Sequence, residues 1–305
     1  MIDNQEKFFQ ELEYEEIIDQ SIFSDKVKGL LLREPLDYWD YVQVDTLHTL
    51  QKPLTSFKDE VIFITYHQVT ELVLKMMLHE IEQIVVEKPP FEAFFIQKMD
   101  RLIRYTELLI NSFDIMKDGM DYDQYNTFRM ALAPASGFQS VRFRYIELYA
   151  TQFKNLVRGD LNERDITEKP VDELFDSLYW KSAGLNHQTG EKTDTLKRFE
   201  QKYQNELIAL AKRVVGSTLE DKFLSIKSPS ILLLNRLKEF DYLYNVKWPT
   251  VHLQTASHYL DKRGENKHAT GGSDWKKYLN PKYQRRYFFP TLWKAQDIFN
   301  WKSHK

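Results

Sequence analysis

The chain has 305 residues, with Lys+Arg 42 against Asp+Glu 45 and a formal charge of -3, so it lacks the global basic field that nucleic-acid binders use. Its length suffices to bury a core without staples, and the absence of cysteine excludes disulfides, iron–sulfur clusters, thiolate or thioether attachment of a cofactor, and cysteine nucleophiles. Gly is 10 of 305, below the usual share of about 7%, which favours long helices over turn-rich sheet. The start is polar and acidic, and no apolar run approaches the roughly 18 residues of a membrane span, so a soluble cytoplasmic protein without a membrane partner is expected.

Residues 1–35 read as an N-terminal arm, and 36–305 as a single all-α domain. From 57 to 87 the apolar residues Val61, Ile62, Ile64, Val69, Leu72, Val73, Met76, Met77, Ile81 and Ile84 recur at three- and four-residue spacing, which predicts a helix stopped by Pro89-Pro90. Further helices are expected over 91–117, over 120–132 with Tyr125 and Arg129 aboard, and over 137–153. Residues 157–169 are charged and predict an exposed connection. Helical patterns resume over 171–182 and 194–215, and Ser228-Pro229 predicts an N-cap and first helical position ahead of 231–246. Trp248-Pro249 then interrupts, since proline disfavours helix at the residue before it, and a new helix is expected to begin there and run to about 260. Residues 263–274 predict a loop, and 283–301 an aromatic closing segment. There is no internal repeat, no useful period-two strand and no low-complexity linker.

Eight histidines stand at 48, 67, 79, 187, 252, 258, 268 and 304. The segment His79-Glu80-Ile81-Glu82-Gln83 has Gln where a zinc-protease helix needs its second histidine. Paired Glu-x-x-His motifs of a helical di-iron site are also missing, which leaves histidine-ligated haem as the most economical redox option. Phe63 and His67 are four apart on a predicted helix, as are Tyr125 and Arg129, so each pair shares a face. Taken singly, Phe63 and His67 read as core residues and Arg129 as a surface arginine with its stem on apolar neighbours. His252 and His258 lie six apart, roughly 240° round a helix, so the two cannot face one iron.

Taken together, Phe63-Ile64-Thr65-Tyr66-His67, Tyr125-Asn126-Thr127-Phe128-Arg129, Ser136-Gly137-Phe138-Gln139-Ser140, Trp248 with His252, and Thr270-Gly271-Gly272-Ser273 resemble the tryptophan 2,3-dioxygenase family. The resemblance runs from about Tyr38 to Trp293. It implies the helical-bundle haem-dioxygenase fold shared by tryptophan and indoleamine dioxygenases, with non-covalent haem b. By the same resemblance His252, in a Trp-x-x-x-His spacing from Trp248, is the iron ligand in preference to His258, and His67 lies on the distal side near the indole N–H. Phe63 lines the substrate pocket, Tyr125 and Arg129 hold the substrate carboxylate, and Ser136 sits near the distal pocket. Thr270 meets the substrate ammonium, in a loop where Gly271 and Gly272 let the backbone approach a ligand, although Ala269 replaces the loop's first glycine. Tyr38 and Tyr41 resemble a tyrosine pair that completes a neighbouring subunit's pocket, which implies a homotetramer.

The expected activity is therefore insertion of both atoms of O2 across the indole C2–C3 bond of L-tryptophan to give N-formyl-L-kynurenine. One alternative is a haem oxygenase of the same superfamily that acts on a modified tryptophan or another aromatic amino acid, adding one oxygen atom. A second, from another class, is a helical interaction protein whose pocket residues are all structural.

Overall fold

The computed structural model describes residues 37–87, 91–158, 161, 166, 168–186, 189–261, 275–281 and 286–294. The chain divides into two compact units, residues 1–51 and 52–305. In the first, helices α1 (Tyr38–Val42) and α2 (Val44–His48) are separated by Gln43, whose left-handed φ of 58° ends one helix and opens the next. Tyr38 and Tyr41 fall on α1 and are 71% and 75% exposed.

The second unit is built around α3 (Asp59–Val86), with Asp59 and Glu60 in its first turn, where the helix dipole favours negative charge. Tyr66, Val73, Met77, Ile81 and Ile84 form its buried stripe, as the three- and four-residue spacing requires. By length and composition α3 could cross a bilayer, a property that the sequence pattern did not suggest. Here it is the central helix, burying Glu60 and Glu80 and packing chiefly on α4 (Glu92–Asn111) and α7 (Val141–Ala150). Lys98 of α4 reaches Glu80 at 2.7 Å, so that buried carboxylate is paired within the fold.

Several expected boundaries shift. The helix expected over 91–117 breaks at Ser112, whose hydroxyl donates to the Leu109 carbonyl at 2.8 Å and so competes with the helical ladder; α5 (Phe113–Asp118) follows. The helix expected over 120–132 is α6 (Tyr122–Phe128), capped by Asp121, and then a tighter 3₁₀ turn Arg129–Leu132. Of the helix expected over 171–182 only α8 (Val171–Leu174) is α-helical, and two 3₁₀ turns, Phe175–Ser177 and Tyr179–Gly184, replace the rest. After α9 (Asp194–Arg213) comes an unforeseen helix, α10 (Leu219–Leu224), opened by a reciprocal cap between Thr218 and Asp221.

The N-cap of α11 (Ile231–Tyr242) is Ser230, whose hydroxyl accepts from the Leu233 N–H at 3.2 Å, rather than Ser228. Trp248-Pro249 does not interrupt the chain. It stays helical from Ile231 to Leu260 through a π-helical turn, Leu243–Lys247, that joins α11 to α12 (Trp248–Leu260). A proline has no N–H and its ring crowds the carbonyl four residues back, and a wider π turn relieves that crowding without ending the helix. Helix α13 (Trp275–Leu279) packs on α12. Among the described residues no β-ladder forms beyond two isolated bridges, Val157 with Leu178 and Leu185 with Lys192, so the fold is all-α as expected.

Candidate functional site

Helix α3 carries Phe63 and His67 one turn apart, with their rings 4.2 Å between centroids. His67 Nδ1 lies 2.7 Å from the Phe63 carbonyl. A carbonyl can only accept, so Nδ1 bears the hydrogen and a neutral ring leaves Nε2 with its lone pair free to accept from a ligand. Burial pushes the His67 pKa below the ordinary histidine range, against the opposing pull of the Phe63 carbonyl and the Glu71 carboxylate.

Helix α6 brings Tyr125 beside Phe63, at 6.0 Å between rings, and against Tyr259 at 4.3 Å. Arg129, at the start of the 3₁₀ turn, is only 4% exposed and hydrogen-bonds the Tyr125 phenol. Burial raises the Tyr125 pKa while that guanidinium pulls it down. The expected Tyr125–Arg129 pairing is thus present, although the two residues sit on different kinds of turn. Ser136 caps the 3₁₀ turn Gly137–Gln139, accepting from the Phe138 N–H at 3.3 Å.

From the opposite end of the sequence, α12 supplies His252. Its ring stacks on Phe113 at 5.3 Å and 30°. The ring opens onto a cavity but is surrounded by protein, and that burial together with nearby His67 pushes its pKa down to about 4. The imidazole is therefore neutral at pH 7, and among the described residues it makes no hydrogen bond. His258 turns elsewhere, edge-on to Tyr122 at 6.2 Å and Tyr259 at 4.9 Å.

A cavity of about 700 Å³ gathers these groups: Phe63, His67, Tyr125, Arg129, Ser136 and His252 all line it. That volume lies within the range of ligand and cofactor sites. Glu60 shapes its rim by accepting from the Leu54 and Thr55 N–H groups at 2.7 and 2.8 Å; these bonds hold the carboxylate pKa low although burial alone would raise it. Trp248 is not in the wall. It is buried against Phe143 and Tyr244, at 5.2 and 5.1 Å. Thr270, Gly271 and Gly272 lie outside the described residues, and Tyr38 and Tyr41 belong to the other unit.

Sequence reasoning missed Phe113, Thr255, Tyr259 and Tyr278 as wall residues. Two of them were within reach, because Thr255 and Tyr259 follow His252 at three and seven residues and so share its helical face. The Tyr259 hydroxyl donates to the Met116 carbonyl at 2.5 Å, which ties α12 to α5.

A family model described as tryptophan 2,3-dioxygenase matches residues 28–215, more than half of the chain. The chain belongs to the tryptophan 2,3-dioxygenase family. Curated relatives of that name agree over nearly their whole length. A protein of Bacillus thuringiensis subsp. konkukian is 27% identical over 279 residues, covering 87% of this chain and 93% of its own. One of Exiguobacterium sibiricum is 26% identical over 296 residues, covering 92% and 96%. One of Bradyrhizobium diazoefficiens is 28% identical over 271 residues, covering 86% and 92%. The family match includes Phe63, His67, Tyr125, Arg129 and Ser136, and ends before His252.

Proposed function

We propose that the chain is a haem-dependent dioxygenase that converts L-tryptophan and O2 to N-formyl-L-kynurenine. The observation that carries this reading is one cavity onto which the neutral imidazoles of His67 and His252 and the Tyr125–Arg129 pair all open. The residues present fit haem b. His252 offers an uncharged nitrogen with no competing hydrogen bond among the described residues, and the cavity has room for a flat cofactor with a substrate beside it. Among the described residues no cluster of three or more His, Cys, Asp or Glu could hold a bare metal ion instead. When bound, ferrous haem supplies the binding and activation of triplet dioxygen, which closed-shell indole does not react with readily.

The chain's own residues orient the substrate. Arg129 offers a planar fork of donors that matches a carboxylate with two parallel charge-assisted hydrogen bonds, and the Tyr125 hydroxyl adds a third donor. Phe63 supplies an aromatic wall for the indole. His67, protonated at Nδ1 by its bond to Phe63, accepts the indole N–H at Nε2 and so fixes which edge of the ring faces the reacting oxygen. Ser136 borders this distal region. Thr270, with Gly271 and Gly272 allowing close backbone approach, holds the ammonium. Trp248 supports the haem side from the core by holding the start of α12. Orientation of this kind can account for much of a rate enhancement.

Tyr38 and Tyr41, exposed on α1, complete the pocket of a neighbouring copy in a homotetramer, and the enzyme works in the cytoplasm. The test is turnover of L-tryptophan by reduced, haem-replete enzyme in isotopically labelled O2. N-formylkynurenine carrying both labelled atoms is the expected product. A product with one labelled atom would reassign the chain to monooxygenation, and no turnover would remove tryptophan as the substrate.

A further inference from the structure

Behind the α13 wall of the cavity lies a buried polar cluster that substrate orientation, as described above, does not use. Arg144 and Glu147 come from α7, Tyr179 from the 3₁₀ turn Tyr179–Gly184, Tyr278 from α13, and Arg286 from the closing segment. Arg144, Glu147 and Arg286 are 3%, 1% and 6% exposed. Arg144 Nη1 donates to Glu147 and to the Tyr179 hydroxyl, both at 2.9 Å, and Arg286 Nη1 donates to the same two groups at 2.5 and 2.6 Å. Tyr179 donates its own hydrogen to Glu147. Tyr179 therefore has both lone pairs and its hydrogen in use, and its capacity is exhausted.

Tyr278 differs. Its oxygen accepts from Arg144 Nη2, but its own O–H has no acceptor among the described residues. It is also the member of the cluster that lines the cavity. The charges of the cluster do not balance either, since two guanidinium groups, which stay ionised, face one carboxylate. Buried charge without a counter-charge is costly, and it is through Tyr278, which accepts from Arg144, that this excess reaches the cavity. A phenol that accepts from a cation becomes a stronger donor through its own hydrogen.

We infer that Tyr278 is a further ligand-binding residue of this site, donating its O–H to a carboxylate of the bound molecule with the Arg144–Arg286 pair behind it as the balancing positive charge. This rests on the haem and tryptophan reading above, in which two sources of carboxylate enter the cavity: a haem propionate and the amino acid's own.

The experiment compares wild type with Tyr278→Phe, which keeps the ring that packs on Phe138 at 5.9 Å. In one arm each protein is titrated with protohaem and with its dimethyl ester, followed by absorbance. In the other, L-tryptophan and tryptamine, which lacks the carboxylate, are titrated by calorimetry. The preference for the acid over its neutral analogue should fall about ten- to hundredfold in the variant, the loss of one charge-assisted hydrogen bond. A fall in the haem arm assigns Tyr278 to a propionate, and a fall in the tryptophan arm assigns it to the substrate. Each preference is a ratio within one protein, so any general loosening from the acceptor that Arg144 loses cancels. Two unchanged ratios would overturn the inference. Failure of the wild type to bind protohaem would overturn the haem reading instead, and the tryptophan arm, run on the haem-free protein, would still decide the role of Tyr278.

Discussion

Asp241 gives the sharpest stability test of this fold. It is completely buried on α11, the helix that continues through the π turn to His252. Its two oxygens accept from the Phe288 and Phe289 N–H groups at 3.0 and 3.1 Å, from Trp293 Nε1 at 2.8 Å and from Asn245 Nδ2 at 2.7 Å. One carboxylate thus latches residues 288–293 to α11 and braces the π turn, with Phe288 packed on Phe240 and Tyr244 at 5.8 and 5.2 Å. Asp241→Ala strands four donors. The two backbone N–H groups and the Asn245 amide are all buried from water, and each costs about 1–3 kcal/mol when left unmade. The half-buried Trp293 indole adds less because it can turn toward solvent, and release of the carboxylate's own desolvation cost offsets part of the total. The net is about 3–5 kcal/mol, a large share of a typical stability of about 5–15 kcal/mol. For a unit of this size the corresponding fall in Tm is about 6–12 °C. Asp241→Asn keeps one acceptor oxygen and should fall between wild type and alanine. Urea unfolding followed by far-UV circular dichroism measures the difference, with near-UV signals reporting release of the aromatic segment. An alanine variant within about 0.5 kcal/mol of wild type, the scatter of ordinary surface substitutions, would refute the latch.

His252→Ala should abolish the native haem spectrum while His258→Ala preserves it, and the reverse result would reassign the ligand. Arg129→Met should bind haem normally but bind L-tryptophan more weakly by about 2–5 kcal/mol; unchanged steady-state kinetics would remove Arg129 from the substrate site. His67 and His252 both titrate below an unfolded value of about 6.5, His252 near 4. In the haem-free protein their contribution to stability is full above that value and is lost as the pH falls toward 4, because the unfolded chain then binds the extra protons. Tm measured between pH 7 and 5 should therefore fall less steeply for a His67→Gln/His252→Gln double variant, and parallel slopes would contradict the neutral-histidine assignment. Deletion of residues 1–45 should lower activity and disturb assembly as seen by light scattering, whereas a fully active monomer would rule out a pocket shared through Tyr38 and Tyr41.

The run of apolar residues along α3, with the turn that joins Phe63 to His67, was legible in the amino-acid order because 3.6-residue periodicity is a local property that needs no knowledge of partners. The all-α class followed from the same periodicity and from scarce glycine. The family resemblance was legible too, since it rests on residue identities in short segments. What the order of residues left open is whatever depends on packing between segments far apart in the chain. Two histidines six apart on α12 are equivalent by spacing, and only the seating of α12 against α5 and α6 turns His252 onto the cavity and His258 onto Tyr122. Pro249 reads as a break, yet the surrounding core holds the chain helical, and a π turn accommodates the proline because burial of Tyr244 and Trp248 outweighs the strained geometry. Arg144, Tyr179, Tyr278 and Arg286 carry no shared spacing at all. Their cluster exists because a buried guanidinium must find oxygen acceptors wherever the fold brings them, and that requirement is met only in three dimensions.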